Sequence, residues 1–129
     1  MVIDQAVYTR LTGHAGIARL VRTRVYPIIL PQGEIGDSIV YRRISTSPVS
    51  ALGADTDLES ARYQFTCYAR TSMAAQAISE QVRAAWQRYS GIVSTVEIED
   101  VEMETEFDDF SSEPHRYLSI VDFTISYRK

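Results

Sequence analysis

The chain has 129 residues, 45% hydrophobic and 23% charged, with a net charge of −4. That is one domain's worth of sequence, able to bury about two thirds of its surface and too apolar for intrinsic disorder. The acidic balance argues against a sequence-reading DNA binder, which carries a concentrated basic face, and no apolar run approaches the roughly 20 residues that span a bilayer.

In chain order, Ile3, Val7 and Leu11 recur at four-residue spacing and predict a first helix, with Asp4 where an acid suits the helix dipole. Thr12-Gly13 breaks it, and a second short helix follows with Ile17, Leu20 and Val21 on one face; a single kinked helix is the alternative. Val25-Tyr26-Pro27 extends the chain, because the residue before a proline is pushed out of the helical region. Residues 30–37, with one proline and two glycines, read as a loop. Ser38 to Ser45 reads as a strand that turns Ile39, Tyr41 and Arg43 one way and Val40, Arg42 and Ile44 the other. Residues 46–59, with Pro48 and Gly53, read as a second loop.

Ala61 to Ala69 is the clearest strand, with Tyr63, Phe65, Cys67 and Ala69 toward the core and Arg62, Gln64, Thr66 and Tyr68 outward. Thr71 or Ser72 then caps the strongest helix, and Gly91 lies just past its end. Its stripe of Ala74, Ala77, Ile78, Val82, Ala85, Trp86 and Tyr89 reads as core packing. From Ile92 to Phe107 the alternation shifts phase: Val96 and Ile98 are even-numbered, Val101, Met103, Thr105 and Phe107 odd. A β-bulge near Glu99-Asp100, or two strands joined by a tight turn, restores it. Residues 108–115 read as a turn, and Tyr117 to Tyr127 as the last strand, with Leu118 and Ile120 suggesting that its second face is partly covered. The expected fold is a single α+β domain over residues 1–129. It is a mostly antiparallel sheet of four to five strands with helices packed on one face, in the order α-α-β-β-α-β-β.

Reactive groups do not converge in the sequence. His14 and His115 stand alone, without the partners of a zinc pattern. Cys67 lies in the core-facing register, where a thiolate is costly, and as the one cysteine it makes no internal disulfide. There is no phosphate-binding glycine loop and no G-x-S-x-G elbow. The amino terminus carries no signal-peptide pattern, so the sequence reads as a soluble, non-enzymatic protein without cofactor or metal, from a reducing compartment.

Charge is unevenly placed. Residues 1–96 hold seven acids and ten arginines, a net of +3; residues 97–129 hold ten acids against three bases, a net of −7. Either both regions are simply solvated, or a basic patch of one copy meets an acidic patch of the next, head to tail. Asp100, Glu102, Glu104, Glu106 and Asp108 share one parity and are expected on one strand face, too spread to converge on a calcium ion. That face is either solvated or an acidic wall toward an arginine patch or a polyanion that must not stick.

Several segments together resemble the tail-completion, or tail-terminator, proteins of long-tailed bacteriophages and prophages. They are a first helix ending in Leu-Thr, then Gly-Ile-Ala-Arg-Leu-Val, Arg-Val-Tyr-Pro (Arg24 to Pro27) and the Pro-Gln-Gly loop (Pro31 to Gly33). Ile39 to Ser45, the Arg62-to-Ala69 strand, Val82 to Trp86 and Asp122 to Arg128 continue the match over nearly the whole chain; the acidic run at Glu97–Asp109 departs from it. The resemblance implies a virion protein that forms a ring with itself, usually a hexamer, on the head-proximal end of the tail tube. Its partners are then the tail-tube protein and the head–tail connector or head-completion protein. Genomic DNA passes through the hole without specific binding, no membrane is involved, and assembly takes place in the bacterial host cytoplasm. On this reading Glu102, Glu104 and Glu106 form an acidic lumen face. Ile35, Val49, Leu52, Asp55 and Asp57 lie in docking loops, and Arg42, Arg43 and Arg62 are basic residues between subunits. The other readings are a neighbouring neck component, such as a head-closure protein, or a small ligand-binding α+β domain.

Overall fold

A computed structural model describes residues 2–51, 54–113 and 115–128; Leu52 lies outside these, as does the side chain of Asp55. Among the described residues, three helices and six strands follow in the order α1 (Val2–Gly13), α2 (Ala15–Val21), β1 (Val25–Pro27), β2 (Ser38–Ala51), β3 (Ala54–Ala69), α3 (Ser72–Trp86), β4 (Gly91–Val93), β5 (Val96–Ser112) and β6 (His115–Arg128). The strands form one sheet, ordered β1-β2-β3-β6-β5-β4, antiparallel except for the β1–β2 pair. The α+β class and the one-sided helices agree with expectation, but the sheet has six strands rather than four or five. The two extra strands, β1 and β4, are three residues each, too short to show a period of two.

The helix side of the sheet is the core. Tyr63, Phe65, Cys67 and Ala69 alternate into it and are fully buried. They meet Ile3, Ala6, Val7 and Leu11 of α1, Ile17 and Val21 of α2, and Ile78, Val82, Ala85 and Trp86 of α3. Phe65 sits at the centre, its ring 6.1 Å from Trp86, 6.3 Å from Tyr63 and 5.9 Å from Phe123. Burying such a side chain contributes roughly 1.5–3 kcal/mol. The first two helices are separate: His14 caps α2, its Nδ1 accepting from the Ile17 N–H at 3.3 Å. Thr71 caps α3 by accepting from the Ala74 N–H. Gly91 does not end α3. Arg88 takes the left-handed turn there (φ 59°), and Gly91 opens β4 instead.

Residues 46–51 and 54–59 are not a loop. They are the distal part of a β2–β3 hairpin, paired from Ser45↔Arg62 to Ala51↔Ala54. Residues 49–51 and 54–57 run past Leu58↔Arg128, the last pair with β6, and form a two-stranded arm. An arm with no core beneath it has no reason to alternate apolar and polar residues, so its sequence looks like a loop. Pro48 is tolerated because β2 has no neighbour on its other side at that point. Residues 108–112 likewise belong to β5 rather than to a turn. Of the two expected causes, the phase shift in β5 comes from the bulge, between Ile98 and Asp100; the tight Ser94-Thr95 turn, with positive φ at both residues, comes before Val96 and joins β4 to β5.

Candidate functional site

The acidic strand does not present one face. A second bulge, between Met103 and Thr105, reverses the side on which later residues stand. Glu102 pairs with Thr124, and the Thr124 hydroxyl donates to Glu104 at 2.7 Å; both acids lie on the face away from the helices. Glu106 pairs with the buried Val121 and turns toward α3, where the Ser79 hydroxyl donates to it at 2.7 Å and Arg83 lies at 3.2 Å. Asp108 follows it, accepting from Gln76 of α3. The expectation of five coplanar carboxylates is therefore corrected: like charges on one strand repel, and the bulge divides them between two sets of partners. On the open face Arg88 lies 3.1 Å from Asp100 and 3.7 Å from Glu102, and Arg128 reaches Glu99 at 2.6 Å.

The three expected inter-subunit arginines sit differently. Arg62 is engaged within its own chain, 2.8 Å from Asp122. Asp122 is only 7% exposed, on a face no helix covers, and its Oδ1 has no hydrogen-bond partner among the described residues. Arg43 pairs with Tyr63 on the helix side and partly offsets the rise in the Tyr63 and Tyr127 phenol pKa values. Burial causes most of that rise, helped by hydrogen bonds from Tyr63 to Asp4 and from Tyr127 to Glu59. Arg42, opposite Gln64, stands exposed on the open face and makes no side-chain hydrogen bond or ion pair among the described residues. Val40 and Ile120, buried on that same face across Thr66, form a small apolar patch there.

The loop before β2 is ordered by its own polar groups. The Tyr26 hydroxyl and the Gly36 N–H donate to the two Glu34 carboxylate oxygens, which holds the Glu34 pKa below the usual carboxylate value. Arg24 donates to the Asp37 carbonyl at 2.7 Å, and a Cβ at Gly36 would collide with that Arg24 side chain. Around this frame Ile28, Ile29 and Ile35 are 69%, 71% and 65% exposed. Ile28 holds a left-handed backbone (φ 70°), a strained state for a β-branched residue. The loop borders an open cleft of about 810 Å³ against Tyr68, Ser111 and Arg116. Ile35 was legible as an apolar loop tip; Ile28 and Ile29 were not, since two isoleucines beside a proline read equally well as core. Val49 and Asp57 lie on the arm instead of a loop.

Cys67 is completely buried, and desolvation pushes its thiol pKa up, the opposite of an activated nucleophile. His14 serves as a helix cap, and His115 stands edge-on to Phe110, 4.9 Å between ring centres. Among the described residues no three His, Cys, Asp or Glu side chains are grouped to hold a metal ion. No helix is long and apolar enough to cross a membrane.

These features define an α+β protein whose polar chemistry is spread over an open sheet face and its edges rather than gathered in a cleft. The family described as "Tail completion protein gp17" matches residues 5–128, and the chain belongs to that family. It is thus a structural protein of a phage-type virion tail. The fold is shared with a chain in the structure titled "Virion of native gene transfer agent (GTA) particle". That match has a TM-score of 0.78 and 15% sequence identity, covering 95% of this chain and 92% of that one. No curated protein matches.

Proposed function

We propose that copies of this chain close into a ring, usually of six, at the head-proximal end of the tail tube. There the ring ends tube polymerisation and joins the tail to the head–tail connector, leaving a hole through which DNA passes. The observation that carries this reading is tail-completion family membership over residues 5–128. The charge layout supports it: Glu102 and Glu104 lie on the open face at the β5 end, Arg42 on the same face at the β2 end.

With the open face toward the hole, Glu102 and Glu104 repel phosphates and let DNA slide; Glu106, tied to Ser79 and Arg83, is a bond to α3. The Ile28–Ile35 loop is a docking element, since apolar side chains exposed on an ordered polar frame suit a partner, and the arm, which runs past the last pair with β6, is the other, the two serving tube and connector. Deleting residues 50–57 then leaves a folded subunit that fails to join heads to tails. The direct experiment adds the chain to its polymerising tail-tube protein. The expected result is tubes that stop growing at one end with the chain bound there. Unchanged tube lengths with no end-bound protein would contradict the proposal.

A further inference from the structure

We infer that neighbouring copies join by main-chain pairing between the β5 edge of one protomer and the β2 edge of the next, so that one antiparallel sheet runs across the joint. This rests on the ring reading and names the surface that closes the ring.

The sheet is capped at both ends by strands far too short for the job. β1 covers β2 only at Ile39–Tyr41, and β4 covers β5 only at Val96–Ile98. Among the described residues, 42–51 of β2 and 99–112 of β5 therefore have a strand partner on one side only. Both edges accept main-chain partners where one is present. The Tyr41 carbonyl takes the Ile28 N–H, and the Val101 carbonyl takes the Arg88 N–H, each at 2.9 Å. Unpaired edges of this length template pairing with another chain unless blocked. The blocks here are partial: Pro48 and the Pro48/Ser50 bulge limit β2, and single bulges bend β2 at Arg43/Ser45 and β5 at Met103/Thr105, yet residues 42–47 remain extended, a stretch of about 20 Å.

Strand direction selects the mode of joining. The long strands β2, β3, β6 and β5 alternate in direction, so the two ends of the sheet run opposite ways. A second copy in the same orientation offers its β2 antiparallel to β5 of the first, which is the geometry a ring of equivalent copies needs. Two-fold pairing of like edges is also antiparallel, but charge opposes it. Residues 99–112 carry seven acids and no base, while 42–51 carry two arginines and no acid. Continuing the sheet also preserves its faces. It places the exposed Arg42 on the same open face as Glu102 and Glu104 of the adjoining strand.

Charge swaps and cross-linking test this on the full chain, with assembly followed by native mass spectrometry alone and on tail tubes. Arg42→Glu, or Glu104→Arg, is expected to raise the concentration for half-assembly about tenfold, and the two together to restore it. Arg19→Glu, exposed on α2, which packs against α1 and α3, leaves assembly unchanged. A chain carrying both Arg42→Cys and Glu104→Cys, with Cys67 buried and inert, should oxidise to a ladder of linked dimers, trimers and higher species. Normal assembly of the unmodified chain without rescue in the double charge variant would place the joint elsewhere and leave the ring standing. A ladder that stops at dimers would mean a two-fold joint and overturn the inference. An unmodified chain that never assembles, even on tubes, would remove the ring and this joint together.

Discussion

On the helix side of β3, Tyr63, Phe65, Cys67 and Ala69 are fully buried in one core cluster with side chains of all three helices. On the other side of the same strand, Arg62, Gln64, Thr66 and Tyr68 are half-buried, with no helix over them. The first face is held by packing and the second by polar pairs such as Arg62–Asp122 and Thr124–Glu104. Substitutions on the packed face should therefore cost folding, and those on the open face should spare folding while changing what the chain binds.

The sharpest way to break that contrast is Phe65→Ala. It empties the centre of the aromatic cluster and should lower unfolding free energy by about 3–5 kcal/mol in denaturant titration; a loss under 1 kcal/mol would mean the core lies elsewhere. Asp122→Ala probes the one buried charge on the open face among the described residues. Because Arg62 keeps 42% of its side chain in solvent, the loss should be only about 1–2 kcal/mol, with Asp122→Asn milder. Thr71→Ala removes the α3 cap and should cost about 1 kcal/mol. Glu104→Gln, exposed and bonded only to Thr124, should stay within about 0.5 kcal/mol while raising DNA retention by the assembled ring.

A pH effect comes from His14. Burial first, and Arg10 second, hold its pKa below 6.5, so the unfolded chain takes up the proton first. Stability is full above about pH 6.5 and falls as pH drops through the lowered folded value, since protonated Nδ1 cannot accept from Ile17. Melting curves from pH 7.5 to 5 should show this slope, and His14→Asn should flatten it while keeping a cap.

The packed face was legible because burial imposes a period. Tyr63 to Ala69 alternate strictly, Ile3, Val7 and Leu11 repeat every four residues, and Val96 to Val101 betrays its bulge by a change of phase. The open face and the arm were not. Residues 49–51 and 54–57 lie in strands joined by main-chain pairing, which any residue but proline can supply, so composition said loop where the chain pairs. The Met103/Thr105 bulge is hidden because Phe107 beyond it is apolar and odd-numbered like Val101 and the core-packed Met103, yet stands exposed opposite Ile120 on the open face, so the alternation runs on unbroken. That hidden bulge is why Glu102, Glu104 and Glu106 read as one face and stand on two.

Electron cryomicroscopy of assembled tails carrying this chain tests the central claim most directly. The account predicts a closed ring of identical, same-facing copies at the head-proximal tube end, their sheets edge to edge around the hole. A single copy bound to the tube, or copies scattered along its length, would contradict it.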